Sequence, residues 1–295
     1  MNAALLWYGF FFALGTIVGS FINAATLRFR VRSLRGRSFC PACGETLHWF
    51  ELIPLASFFI QNGRCRACSS RISRQYPLVE LTTGLVFAAI FWKHLPALVS
   101  SGYSVIQLFS YESLVLVLEL LVWSLLMAIS VYDLRHKIIP DALVYGFLFF
   151  SFLVLLSTSN FQLPTFNSLN FWSGFLLAAP FAAVWFFSRG RAMGLGDAKL
   201  VLSFPWFVGL PLGVSAVVLG FWLGAFVAAL GFLLKAASSF SLLRALPALN
   251  AALVRLTMKT ELPLAPFLAL GLFLVYVFGW DVTGLSLLLQ PTFNQ

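Results

Sequence analysis

The chain has 295 residues, 60% of them hydrophobic and only 10% charged, and a formal net charge of +9; its mean hydropathy is +0.93. Soluble domains carry roughly a quarter charged residues, so this composition excludes a soluble globular protein. It also excludes disorder, a collagen-like repeat and a disulfide-stapled secreted fold. The charge alone would suit nucleic acid, so its placement along the chain has to decide.

Uncharged runs occupy 1–27, 142–188, 200–234 and 262–280, each long enough for at least one helix of about 20 apolar residues crossing a bilayer. In chain order the pattern predicts an all-α integral membrane protein with about eight spans, near 5–27, 76–93, 112–132, 142–158, 170–188, 198–211, 213–235 and 263–281. The run 142–188 divides at the polar stretch around Ser157 to Asn160 and Gln162 to Asn170, which contains Pro164. One continuous helix there would carry unpaired polar groups into lipid. The run 200–234 is broken by Pro205, Gly209, Pro211 and Gly213, leaving a short sixth span.

Lys and Arg are retained on the cytoplasmic side. With residue 1 outside, the inward loops 28–75, 133–141, 189–199 and 235–262 hold 9, 2, 3 and 4 basic residues, and Lys93 alone falls at an outer end. A single span over 200–234 would spoil this asymmetry, so the count supports eight spans with both termini outside. The positive charge is thereby a topology signal, and no nucleic-acid partner is expected. The first apolar segment has no basic residue ahead of it and a basic segment after it, which marks a retained helix rather than a secretory signal.

All four cysteines fall in the loop 28–75, as Cys40-Pro-Ala-Cys43 and, 21 residues on, Cys65-Arg-Ala-Cys68. Two such knuckles suit tetrahedral zinc, each presenting two thiolates from one tight turn. Paired disulfides are the competing reading, and a loop on the reducing side disfavours them. His48 is near enough to substitute as a ligand but is redundant beside four thiolates. A structural metal would supply folding free energy to a loop with little core. The surrounding arginines would also favour anionic lipid heads.

Ionisable groups at membrane depth are costly and mark candidates for function. Asp133 lies at the inner end of the third span in Tyr132-Asp-Leu-Arg-His-Lys-Ile-Ile-Pro-Asp141, and Asp197 opens the sixth in Gly194-Leu-Gly-Asp197. The topology places both on one side at similar depth, so they can meet. Two carboxyls sharing a proton hydrolyse peptide bonds: the ionised one draws a proton from water and the neutral one hydrogen-bonds the carbonyl. The proton belongs to the pair. Gly194 and Gly196 lack Cβ and would let a substrate strand approach.

Plainer readings stand beside these. Asp197 would be a helix N-cap, Asp133 a partner of Arg135 or Lys137, and Asp141 an N-cap of the fourth span, the role expected for it. Glu119 precedes Asp133 by 14 residues, about four helical turns, where a hydrogen bond to a neighbouring helix is expected rather than a polar path. Glu80, near the inner end of the second span, is expected to pack against the basic loop. Gly15-x3-Gly19 and Gly220-x3-Gly224 suit close helix packing.

Taken together, Gly19-Ser-Phe-Ile-Asn23, Ser38-Phe-Cys-Pro-Ala-Cys43, Trp49-Phe-Glu-Leu-Ile-Pro54, Gly63-Arg-Cys-Arg-Ala-Cys68, Tyr76-Pro-Leu-Val-Glu80, Ile139-Pro-Asp141, Met193-Gly-Leu-Gly-Asp-Ala-Lys199 and Pro263-Leu-Ala-Pro-Phe-Leu-Ala-Leu-Gly271 closely resemble the type 4 prepilin peptidases. These are leader peptidase/N-methyltransferases and membrane aspartic proteases of the Gly-x-Gly-Asp class. The resemblance implies that Asp133 and Asp197 form the protease dyad. It implies substrates among prepilins of type IV pili and pseudopilins of type II secretion, whose basic leader is cut at the cytoplasmic face of the bacterial inner membrane. It further implies methylation of the new N-terminal residue, usually phenylalanine, with S-adenosylmethionine, an activity associated with the first cytoplasmic loop.

The implied organisation is a first helix at 1–27, a four-cysteine zinc loop at 28–75 and a seven-helix peptidase region at 76–295. Leu264-Ala265 replaces the more usual Phe-Gly pair, which affects local packing but no expected chemistry. No G-x-G-x-x-G follows a strand, so no residue is assigned to the methyl donor. The rival readings are a peptidase whose zinc loop only grips substrate, a cation or proton transporter using Glu119 and the aspartates, and a non-enzymatic assembly factor.

Overall fold

The computed structural model describes residues 3–29, 36–100, 111–158, 168–237 and 263–288. The described residues are almost wholly helical: α1 Ala3–Arg28, a 3-10 turn Trp49–Leu52, α2 Ala56–Ile60, α3 Gln75–Ser100, α4 Tyr111–His136, α5 Asp141–Thr158, α6 Ser168–Ser188, α7 Leu195–Leu202, α8 Phe204–Val208, α9 Leu210–Ala237 and α10 Ala265–Phe278. Among them, extended pairing is confined to two isolated antiparallel bridges, Phe39 with Thr46 and Arg64 with Arg71.

Among the described residues, five helices are long and apolar enough to cross a membrane, namely α1, α3, α4, α6 and α9, while α5 and α10 are shorter apolar helices. The expected sixth span is two short helices, α7 and α8, separated at Ser203. Eight residues of helix reach only ~12 Å, well short of a ~30 Å hydrocarbon core. The third span runs further than expected. α4 continues to His136, and Lys137 then takes a positive φ of 53° while its N–H closes the last turn on the Asp133 carbonyl at 2.8 Å. Asp133 therefore sits inside a helical turn rather than past its end. The expected inner loop at 235–262 falls at 238–262 outside the described residues, as does most of the break between the fourth and fifth spans.

Two compact units make up the chain: Met1–Tyr132 with Asp141–Phe166, and Asp133–Pro140 with Asn167–Gln295. In the first, α1 and α3 run antiparallel at close range. A Cβ on Gly15 would lie 2.6 Å from the Thr83 carbonyl oxygen and 2.8 Å from the Gly84 Cα, and one on Gly19 would lie 2.8 Å from the Glu80 Cα. Further along, the Phe11 and Phe91 rings stack with centroids 4.6 Å apart. Lipid offers no hydrophobic drive for helix association, so backbone proximity and packing must hold this pair. Ile22, Val79, Ala128 and Val131 form a buried cluster that brings in α4, with Leu143 of α5 packed against it.

In the second unit the same device recurs. Gly271 of α10 lies against the Ala216 carbonyl of α9, and a Cβ on Gly220 would come within 3.0 Å of Leu268. Gly224, its partner in the expected motif, makes only ordinary contacts with Phe267. The Trp206 indole N–H donates to the Phe171 carbonyl at 2.9 Å and ties α8 to α6. Beyond α10, the Asp281 carboxylate accepts from the Ser215 hydroxyl at 2.7 Å and from the Ser286 N–H at 2.8 Å, fastening the segment after α10 to α9. These bonds, the Ser286 ones foremost, hold the Asp281 carboxyl well below the usual range.

The α1–α3 contact gives a paired expectation. Gly15→Ala, which collides with backbone, lowers unfolding stability in detergent by about 1–3 kcal/mol, the usual cost of overpacking. Gly9→Ala, with nothing within 4 Å of the new Cβ, leaves it unchanged or slightly raised. Thermal unfolding midpoints of the two variants measure the difference.

Candidate active site and metal centre

The two cysteine knuckles adopt matching turns. In the first, the Cys40 N–H donates to the Glu45 carbonyl at 2.8 Å and the Gly44 N–H to the Cys40 carbonyl at 2.9 Å; in the second, the Cys65 N–H donates to Ser70 and the Ser69 N–H to Cys65, both at 2.9 Å. Each turn needs one residue at positive φ, supplied by Gly44 at 77° and Ser69 at 57°. The Phe39–Thr46 and Arg64–Arg71 bridges close the two loops.

These turns bring all four sulfurs within 4.8 Å of one another, and the Cys40 and Cys68 sulfurs are 3.9 Å apart. Four thiolates at about 2.3 Å around one tetrahedral ion would be separated by about 3.8 Å, so the donor set fits a metal ion. The cysteines are free thiols. Their ionisation is shared unequally. The Cys43 N–H, together with Ala42, Ser70 and Cys65, holds Cys40 down at about 6 against the opposing effect of burial. The Ser70 hydroxyl and amide lower Cys68. Cys43 has the Glu45 N–H in its favour, yet burial and the neighbouring thiols push it up to about 12. Four negative sulfurs in this volume require a cation to offset their repulsion. His48 stands apart from the cluster: its backbone N–H donates to the Glu51 carboxylate at 2.8 Å and its ring stacks on Phe50.

The acidic pair belongs to the second unit. Asp133 is buried, with 5% of its surface exposed, and its Oδ2 accepts the backbone N–H of Ala265 at 3.1 Å. Ala265 is the first residue of α10, so the N–H is one of the donors that a helix N-terminus leaves without an intrahelical partner. The anticipated pairing of Asp133 with Arg135 or Lys137 is replaced by this contact.

Asp197 is the third residue of α7, and Gly194 is the N-cap. The N-cap role anticipated for Asp197 thus passes to Gly194. The Gly194 N–H hydrogen-bonds back to the Asp197 carboxyl, which is half of a capping box. The charge of Asp133 acts on Asp197 across the space between them. Two carboxyls 64 residues apart in sequence therefore feel one another through a poorly solvated gap. Gly194 has an ordinary φ of −74°, so that conformation does not require glycine. At Gly196 the requirement is space: a Cβ there would lie 2.8 Å from the Ile139 Cβ, and α7 could not then approach the segment that follows Asp133.

Three other acids singled out in the sequence lie outside this pair. Asp141 opens α5. Glu119 is bonded to the His94 ring nitrogen of α3 at 2.6 Å. Glu80 accepts the Leu55 N–H at 2.8 Å, a contact with the loop of the kind expected for it. Sequence reading missed the Ala265 amide and His94. A backbone donor carries no side-chain signature, although Pro263 and Pro266 bracketing the start of α10 mark a constrained helix start. His94 was detectable as a polar residue within an apolar helix facing an equally isolated glutamate.

A carboxyl pair, Asp133 buried and Asp197 partly exposed, together with apolar spans and a four-cysteine cluster, defines a membrane protein of the aspartic-peptidase type with a metal-binding loop. Family models match in two places: Bacterial Peptidase A24 N-terminal domain over residues 13–94 and Type IV leader peptidase family over residues 120–230. A prepilin leader peptidase/N-methyltransferase of Bacillus subtilis is 33% identical over 278 residues, covering 91% of this chain and 93% of that protein. One from Pseudomonas aeruginosa is 27% identical over 302 residues, 92% and 90% of the two chains. One from Myxococcus xanthus is 41% identical over 133 residues, 44% of this chain and 35% of that protein. The chain belongs to the type IV leader peptidase family. No solved structure matches it.

Proposed function

We propose that the protein removes the basic leader from prepilins and pseudopilins at the cytoplasmic face of the bacterial inner membrane and then N-methylates the exposed terminal residue with S-adenosylmethionine. The observation that carries the first activity is the electrostatic contact of Asp197 with the buried Asp133. The family membership and the names of its relatives carry the second. In this reading residues 28–75 form the metal-held loop, 76–295 the peptidase region, and the chain crosses the membrane about eight times.

The proposed chemistry follows from the pair. One proton is shared between the two carboxyls, because both cannot ionise readily at short range. Water placed between them gives a proton to the ionised member as its oxygen attacks the scissile carbonyl carbon. The protonated member donates a hydrogen bond to the carbonyl oxygen as negative charge builds there. Collapse of the tetrahedral intermediate expels the amine, which takes a proton from the pair and becomes the new N-terminus. The Ala265 N–H fixes the Asp133 carboxylate without entering the reaction, and the Gly194 N–H does the same for Asp197. An apolar substrate helix can remain in the bilayer while its scissile bond lies at the inner edge.

Zinc suits the four thiolates Cys40, Cys43, Cys65 and Cys68 as a structural ion. It would hold the loop folded rather than act on substrate. No residue is assigned to S-adenosylmethionine and no step is derived through it. Glu119 contacts the His94 ring of α3, the neighbouring-helix hydrogen bond expected for it.

Asp133→Asn and Asp197→Asn should each lower leader removal by about a thousandfold or more, as expected when a unit of catalytic groups loses one member, with unchanged expression and membrane insertion. Retained cleavage of a purified prepilin in either variant refutes the dyad. Labelled S-adenosylmethionine and pre-cleaved pilin test the transferase separately, and no labelled product would leave a peptidase alone.

Metal content gives an independent readout. Elemental analysis should find one zinc per chain, and Cys40→Ser with Cys65→Ser should lose it. Chelation should then expose the loop 36–75 to protease while leaving α4 and α7 protected.

A further inference from the structure

Between the two knuckles lies a segment that the proposed chemistry does not use. Residues 49–60 carry Trp49, Leu52, Ile53, Phe59 and Ile60, all exposed, with Trp49 at 77%, Phe59 at 70% and Ile60 at 78%. A cytosolic loop would not place this much large apolar surface in water on a single short stretch.

Its depth is set by a hydrogen bond. The Leu55 N–H donates to the Glu80 carboxylate at 2.8 Å, and Ser20 of α1 also bonds that carboxylate. Glu80 is five residues beyond Gln75, the first residue of α3 and of its apolar span. At 1.5 Å per residue this is ~7.5 Å along the helix. Gly19 of α1 meets α3 at the same level, nine residues before Arg28 ends α1. The middle of the loop is therefore drawn back alongside the apolar parts of two spans. Leu55 adopts a positive φ of 61°, a conformation uncommon for leucine, at the point where the 3-10 turn gives way to α2.

The flanks have the opposite character. Arg37, Arg64, Arg66, Arg71 and Arg74 lie outside residues 49–60 on either side, and Arg28 ties the end of α1 to the Gly36 and Arg37 carbonyls at 3.2 and 3.1 Å. An apolar stretch at a depth of about 5–10 Å, bordered by cations, is the pattern of a segment lying in a membrane interface. Tryptophan favours that region, and arginines there meet anionic headgroups.

We propose that residues 49–60 insert into the cytoplasmic leaflet as an interfacial segment, held by Glu80, with anionic lipid as the occupant of their exposed face. This makes the metal loop a lipid-anchored element rather than a freely projecting domain. The inference rests on the membrane-spanning, inward-loop part of the proposed function but not on leader cleavage.

The test uses the full-length protein in vesicles of phosphatidylglycerol and phosphatidylethanolamine, with an environment-sensitive fluorescent amino acid replacing Ile60, or Glu45 as an exposed control outside the segment. Lipids brominated near the headgroup end of the chain should quench the probe at 60 several-fold more than at 45. Glu80→Ala should reduce the quenching at 60. Equal quenching at 60 and 45 overturns the proposal. So does shielding of position 60 from aqueous iodide that appears only when purified prepilin is added, which would make the face a substrate contact. Leader cleavage is measured on the same samples: quenching without cleavage removes the enzymatic reading and leaves the anchor, and cleavage without quenching does the reverse.

Discussion

A carboxylate inside the last turn of a membrane helix faces two penalties: it is withdrawn from water, and it stands at the negative end of the helix dipole. Asp133 occupies that position in α4. What offsets the penalties is the backbone N–H of Ala265, the first residue of α10 and a donor at the positive end of another helix. The arrangement of the second unit depends on this contact, because it fixes α10 against the segment carrying the acid. The packing of α10 on α9 through Gly271 and Gly220 in turn fixes where that amide can be. The change from Gly to Ala at 265, relative to the usual family pattern, is compatible with this role because the backbone supplies the bond.

The cysteine cluster solves a different problem by similar means. Of residues 36–75 only Cys40 and Cys65 are buried, so the loop lacks a core to offset its ordering entropy. Two knuckles with the same hydrogen-bond pattern bring four sulfurs to one point, and a bound ion can then supply the missing stabilisation. Ser70 contributes at that point too, with its hydroxyl 3.1 Å from the Cys68 sulfur and 3.7 Å from that of Cys40.

Much of this is legible in the chain itself, for unequal physical reasons. Apolar runs report spans because lipid tolerates little else, so α1, α3, α4, α6 and α9 lie near where the runs place them. The C-x2-C spacing reports a turn geometry and predicts the sulfur cluster. Less visible are features decided by packing. Pro205, Gly209, Pro211 and Gly213 announce a break in 200–234, but the division of α7 from α8 at Ser203 accompanies Gly174 of α6 lying against the Leu202 carbonyl and the Trp206 ring. The continuation of α4 to His136 is hidden because charge normally signals the end of a span. The Ala265 donor has no letter of its own, being common to every residue but proline.

Gly196 carries a consequence beyond its place in a motif. Its missing side chain is filled by Ile139, which lies six residues after Asp133, while Asp197 is its immediate neighbour. The two acidic segments are thus clasped by a contact that involves neither of the acids, nor substrate, nor metal. One isoleucine seated on one glycine thus limits how the backbone on either side of it can move, and any side chain added at 196 would push the two segments apart.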